Sequence, residues 1–149
     1  MDRRKCTYFF TRLVGVVAFI ALACMPVAYG KTCTEREASA ADAAIDHLDT
    51  WANVNEAFNK YAQCDDGEIA EGNSEAVARL LVDHWHTLPQ LGVLIKRNPS
   101  LKAFVLRHID ATLDTDDLSR IARLATSSCP IGMSSLCREL AAATEKVMP

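Results

Sequence analysis

The chain has 149 residues, a formal net charge of −3, 50% hydrophobic residues and 23% charged ones. That length allows one well-packed core but not two, and that composition excludes a disordered or low-complexity chain. The charge excludes a strongly basic protein built to grip nucleic acid.

The first thirty residues read as a signal peptide, residues 1–30, ahead of a single helical domain, residues 31–149. Arg3, Arg4, Lys5 and Arg12 make a positive start. Leu13 to Cys24 is an unbroken apolar run, shorter than the roughly 20 residues of a membrane-spanning helix. Pro26 ends it, and Ala28 and Gly30 place small residues before Lys31. Cys24, in "LAC", offers a rival reading as a lipidated cysteine. Without residues 1–30 the chain carries 12 basic and 18 acidic side chains. The excess is local: residues 31–83 hold 4 basic and 12 acidic groups, residues 84–149 hold 8 and 6. An acidic half of this kind disfavours nucleic acid and anionic membrane, and suits a basic protein partner.

Four cysteines remain, Cys33, Cys64, Cys129 and Cys137. An even number in an exported chain reads as two disulfides and implies a periplasmic or secreted location. Four cysteines allow three connectivities. Cys129 and Cys137 bracket a short loop, so Cys129–Cys137 with Cys33–Cys64 is the favoured pairing. No CxxC occurs, so no metal is expected, and nothing implies a cofactor.

Apolar periodicity is helical nearly throughout. The segment from Lys31 to Asp49 carries only a thin stripe. Thr50 is a good cap for a helix on which Trp51, Val54, Phe58 and Tyr61 share a face, ending near Cys64. The next helix spans about Asp66 to Trp85, with a break at Gly72 left open. Its stripe is Ile69, Val77, Leu80, Leu81 and Leu88. His84 falls near the centre of that stripe and is expected in the core; His86 falls opposite. "TLPQ", Thr87 to Gln90, fits a capping box. Asn98-Pro99 separates two short helices, the second bearing Leu101, Phe104 and Val105. Thr115 is the expected cap of a helix with Leu118, Ile121 and Ala125. Ser134 or Ser135 caps the last, with Leu136 and Leu140 inward. The expected fold is all-α, a compact bundle of five to seven short amphipathic helices stapled by disulfides.

"CDDGEIAEG", Cys64 to Gly72, concentrates Asp65, Asp66, Glu68 and Glu71. Asp65 and Glu68 have capping-box spacing, so Asp65→Asn or Glu68→Gln should cost at most about 1 kcal/mol. The run lacks the ligand pattern of a calcium loop. It also suits an acidic surface for a partner, with Trp51 or Trp85 as aromatic anchors. Glu75, Arg79 and Asp83 read as a solvated ion-pair face. No nucleophile motif surrounds any serine, and no catalytic residue is assigned. A small periplasmic enzyme using His84, His108 and Asp110 is the alternative; it requires a pocket joining them. A structural envelope protein or lipoprotein with no discrete site is the remaining reading.

"YAQCDDGEIAEG", "LLVDHWHTLP" and "FVLRHIDATLDTDDL" together resemble small secreted proteobacterial helical proteins of unknown function. In general plan the chain also looks like the periplasmic immunity proteins that bind toxic effectors of type VI secretion. That likeness implies a periplasmic protein-binding module, an inhibitor or immunity protein for a basic effector enzyme, rather than an enzyme itself. It brings no site residues with it.

Overall fold

The computed structural model describes residues 31–148, and the signal-peptide reading of residues 1–30 lies outside them. Seven α-helices follow one another: α1 Glu35–Ile45, α2 Trp51–Tyr61, α3 Gly67–Asp83, α4 Leu88–Arg97, α5 Ser100–Arg107, α6 Thr115–Ser127 and α7 Ser134–Val147. Short 3-10 turns at Ala62–Cys64 and Trp85–Thr87 precede α3 and α4. There is no strand among the described residues, so the all-α expectation holds. Both disulfides form in the favoured pairing, Cys33–Cys64 and Cys129–Cys137. They suit an oxidising compartment. No described helix is long and apolar enough to cross a membrane.

Each helix buries one stripe, as its periodicity requires. α3 is the most enclosed, burying Ala76, Val77, Ala78, Leu80, Leu81 and Val82 against α1 and α6. Leu88, Leu91, Leu101, Val105, Ile121 and Leu140, each at most 1% exposed, complete the core. Filled helices with tight interdigitation leave little space between them. Gly72 does not break α3. A Cβ there would stand 2.6 Å from Ile45 Cδ1, so the missing side chain lets the end of α1 pack onto α3.

Helix starts are where the sequence reading slips. α1 opens with an unforeseen capping box: Thr34 Oγ1 accepts from Glu37 N–H while the Glu37 carboxylate accepts from Thr34 N–H. Thr50 caps α2 as expected, accepting from Asn53 N–H at 3.2 Å. Asp66, not Asp65, occupies the cap of α3 and accepts from Gly67 N–H at 2.9 Å. Thr87 makes no capping bond. Its hydroxyl donates to the His84 carbonyl and accepts from Trp51 Nε1, and Pro89 in the first turn of α4 needs no donor there. Asp114 rather than Thr115 caps α6, and neither Ser134 nor Ser135 caps α7.

His84 is a further correction. α3 stops at Asp83, and His84 leaves helical geometry at φ −119°, ψ 32°. The following 3-10 turn rotates the chain, so Trp85 and Leu88 stay buried while His84 and His86 face solvent. A stripe extrapolated at 100° per residue fails once the helix has ended.

Candidate functional site

The densest cluster of chemical groups lies inside the bundle, where the end of α5 meets the start of α3. Asp65 follows a 3-10 turn whose last residue, Cys64, is tied to Cys33. The turn sends successive aspartates in opposite directions. Asp66 caps α3 at the surface, while the Asp65 side chain is only 3% exposed. Its Oδ1 accepts from Asn73 Nδ2 at 2.9 Å. Its Oδ2 faces His108 Nε2 at 3.1 Å and also pairs with the Arg107 guanidinium.

His108 is 2% exposed and closes α5. Its ring meets Phe104 edge-on at 4.3 Å, and Phe104 in turn contacts Phe58 at 5.0 Å. Its Nδ1 stands 2.9 Å from Ser74 Oγ. Ser74 lies 1% exposed in the middle of α3. Its hydroxyl is also 2.8 Å from Asp110 Oδ2 and 3.0 Å from the Ala70 carbonyl. Asp110 is braced from the far side by Thr112 N–H and Oγ1, at 2.8 and 2.6 Å.

Counting hydrogens gives the bonding scheme. The Ser74 hydroxyl has one hydrogen, and the Asp110 carboxylate and the Ala70 carbonyl can only accept it. Ser74 Oγ must therefore accept from His108 Nδ1–H. The Asp65 carboxylate can only accept from Nε2–H. The network closes when both ring nitrogens donate. Every buried side-chain polar atom among the described residues then has a partner.

The carboxyls respond to these contacts. Burial by itself would raise Asp65, but hydrogen bonds from His108, Asn73 and Arg107 outweigh it and hold the carboxyl at about 2. Burial also works to raise Asp110. Hydrogen bonds from the Thr112 side chain and backbone and from Ser74 prevail and keep it below the ordinary carboxylate range.

Ser74, His108 and Asp65 are the three residue types of a nucleophile–base–acid triad, but they are not arranged for that chemistry. Ser74 Oγ is enclosed and held by its own helix. The cavity lined by Asp65, Asn73, Phe58 and Phe104 measures about 10 Å³, the lower limit for a single water. No substrate carbonyl can reach the hydroxyl. The set His84, His108 and Asp110 is not assembled either: Ser74 joins the last two, while His84 faces solvent. Among the described residues no group of His, Cys, Asp and Glu is placed to hold a metal ion.

The acidic run divides between core and surface. Asp65 belongs to the buried network. Trp51 is 1% exposed and donates to Thr87, and Trp85 is 9% exposed and donates from Nε1 to the Ser128 carbonyl at 2.8 Å. Both indoles are core anchors and leave the proposed contact surface. Asp66, Glu68 and Glu71 are exposed. Glu68, Glu71, Glu75, Arg79 and Asp83 line one solvent face of α3 at helical spacing. The face runs into a groove of about 430 Å³, where Glu75, Arg79 and Asp83 meet Asp114 and Asp117. Asp83 pairs with Arg120 at 3.5 Å, but Glu68, Glu71 and Glu75 have no ion partner among the described residues.

Ser74, Asn73 and Arg107 were not singled out from sequence. A signal existed for Ser74: it lies three residues before Val77 and seven before Leu81, on the buried stripe of α3. A hydroxyl there requires an internal partner. The chain matches no family model, no curated protein and no solved structure.

Proposed function

We propose that the protein is a periplasmic protein-binding module, an inhibitor or immunity protein that covers a basic enzyme through the α3 face. The observation that carries this reading is the run Glu68, Glu71 and Glu75, exposed on one helix and unpaired. Carboxylates left without cations on a rigid element supply long-range attraction and a fixed pattern for a basic partner. The buried network supports the reading from the other side. Among the described residues the Ser74–His108–Asp65 cluster is consumed in holding α3, α5 and the α2–α3 junction together, so the free chemistry lies on the surface. The apolar, positively flanked run before Lys31 and the two disulfides are consistent with export.

The test is functional. Protein spanning residues 31–149 is immobilised, its partner is recovered from the producing cells at low and high salt, and the partner's enzymatic activity is titrated with free protein. The reading requires a basic enzyme that loses activity at stoichiometric addition. Full activity at saturation, or no retained protein at either salt, contradicts it.

A further inference from the structure

With both ring nitrogens donating, the buried His108 side chain is an imidazolium. Its Nε2–H faces Asp65 at 3.1 Å and its Nδ1–H faces Ser74 at 2.9 Å. Neither carboxyl supplies a proton in its place, because hydrogen bonds hold Asp65 at about 2 and keep Asp110 below the ordinary carboxylate range. The balancing charges come from three sides. Asp65 lies on the turn before α3, Asp110 on the turn after α5, and Arg107 of α5 pairs with Asp65. α3 presents neutral groups to this cluster, Ser74 and Asn73. α1 and α2 bring Ala41, Phe58 and Tyr61 to the adjoining cavity. α7 meets α5 at the Lys102–Glu139 pair, nearer the start of the helix.

A neutral ring cannot keep the same bonds. If Nε2 gives up its hydrogen, a lone pair faces the Asp65 carboxylate. If Nδ1 gives it up, Asp65 keeps its donor, so this loss is the cheaper one. Ser74 Oγ then has one hydrogen for both His108 Nδ1 and Asp110 Oδ2, at 2.9 and 2.8 Å. The ring is enclosed, whereas Asp110 is only half-buried and can turn to water, so the hydrogen goes to Nδ1. The exchange balances along one line. The Nδ1 proton passes to Ser74 Oγ, the serine hydrogen passes to Asp110, and Asp110 releases it to solvent. Asp110 Oδ1 keeps its bonds from Thr112, but its hydrogen bond to α3 is gone. The turn that it anchors ends in Asp114, the cap of α6. Thr112, Leu113 and Asp114 wall the groove beside Glu75, Arg79 and Asp83.

We propose that His108 is a proton switch in the core: as an imidazolium it keeps the Ser74 hydroxyl on Asp110, and as a neutral ring it draws that hydroxyl to itself and loosens the α5–α6 turn. A buried site with two discrete hydrogen-bond arrangements is the kind of element that a protonation event can bias. Asp65 keeps its His108 and Arg107 contacts in both states, so the junction of α5 with the start of α3 stays closed and the change is confined to residues 110–114. Glu68 and Glu71 lie at the opposite end of α3 from that turn. The inference therefore does not rest on the α3 face as a binding surface.

Isotope-labelled protein is isolated from the producing cells, and its histidine ring nitrogens are followed by NMR from roughly pH 5 to pH 10, wider than the ordinary histidine range. Exposed His84 and His86 serve as references in the same spectra. At the acid end His108 should carry a proton on both ring nitrogens. As the pH rises Nδ1 should lose its proton while Nε2 keeps its own. The backbone amide signals of Asp110, Thr112 and Leu113 should move with the same midpoint. Asp110→Asn removes a charge and supplies an amide donor to Ser74, so His108 should then bind its second proton at least ~10-fold more weakly. The wild-type titration needs no variant, so it decides the matter even where Asp110→Asn folds poorly. A ring with one proton at every pH, or with two at every pH, overturns the switch. So does loss of the Nδ1 proton with no change at residues 110–113. A folded Asp110→Asn whose ring holds its second proton as tightly as wild type overturns it as well.

Discussion

His108 Nε2 stands 3.1 Å from Asp65 Oδ2, and both side chains are 3% exposed. This contact joins the end of α5 to the turn before α3, across 43 residues of sequence. Removing the Asp65 charge takes a strong acceptor away from His108 and Asn73 where water cannot replace it. Asp65→Asn is therefore expected to cost about 3 kcal/mol, well above the cost of losing a surface cap. Asp66→Ala, which removes the actual cap, should cost about 1 kcal/mol. Glu68→Gln should stay within about 0.5 kcal/mol. Urea denaturation of the three variants measures all of these.

The same pair sets an acid limit. Asp65 titrates at about 2 in the folded protein, against 3.8 for an ordinary aspartate. The unfolded chain therefore binds its proton first as pH falls. The contribution of Asp65 is complete above pH 4 or so and is lost progressively toward about pH 2. Wild type should lose stability over that window, and Asp65→Asn should lose less of it. Denaturation midpoints collected across the window report the difference.

His84 and His86 give a contrasting expectation. Both are exposed, so His84→Ala and His86→Ala should each fall within about 0.5 kcal/mol of wild type. His108→Ala should cost about 3 kcal/mol, because it opens a cavity and removes one buried hydrogen-bond partner each from Asp65 and Ser74. Thermal melts of the three variants check the ranking.

These residues show what local sequence carries. The helices were legible because 3.6-residue periodicity is a property of each segment alone, and the loop between Cys129 and Cys137 is short enough to suggest its own bond. The caps of α2, α3 and α6 were legible to within a residue, while the Thr34 box was not foreseen and α4 and α7 make no side-chain capping bond. Asp65 and Asp66, or Asp114 and Thr115, are chemically near-equivalent as caps, and the path of the chain decides between them. His84 was misplaced because the stripe was carried past the end of the helix. The Ser74–His108–Asp110 bonds join α3 to residues 34 and 36 positions away, and no local pattern specifies that register.

Gly72→Ala separates propensity from packing. In an exposed helix the change would gain about 0.5–1 kcal/mol. Here the new methyl meets Ile45 Cδ1 and Cγ2, at 2.6 and 2.9 Å. Overpacking should prevail, for a net loss of about 1 kcal/mol. Ile45→Ala in the same chain should remove the clash, so the double variant should be more stable than the two single losses added together.

The most direct measurement of the central claim, that binding resides on the α3 face and not in the buried network, is the association rate with the isolated partner. Wild type, Glu68→Lys/Glu71→Lys and Ser74→Ala are compared by stopped flow at low and high salt. Charge reversal should leave the Tm near wild type, slow association at low salt and flatten the salt dependence, because long-range attraction acts mainly on encounter. Ser74→Ala should lower the Tm and leave the association rate unchanged. An unchanged rate after charge reversal, or a rate lost in folded Ser74→Ala, would contradict the account.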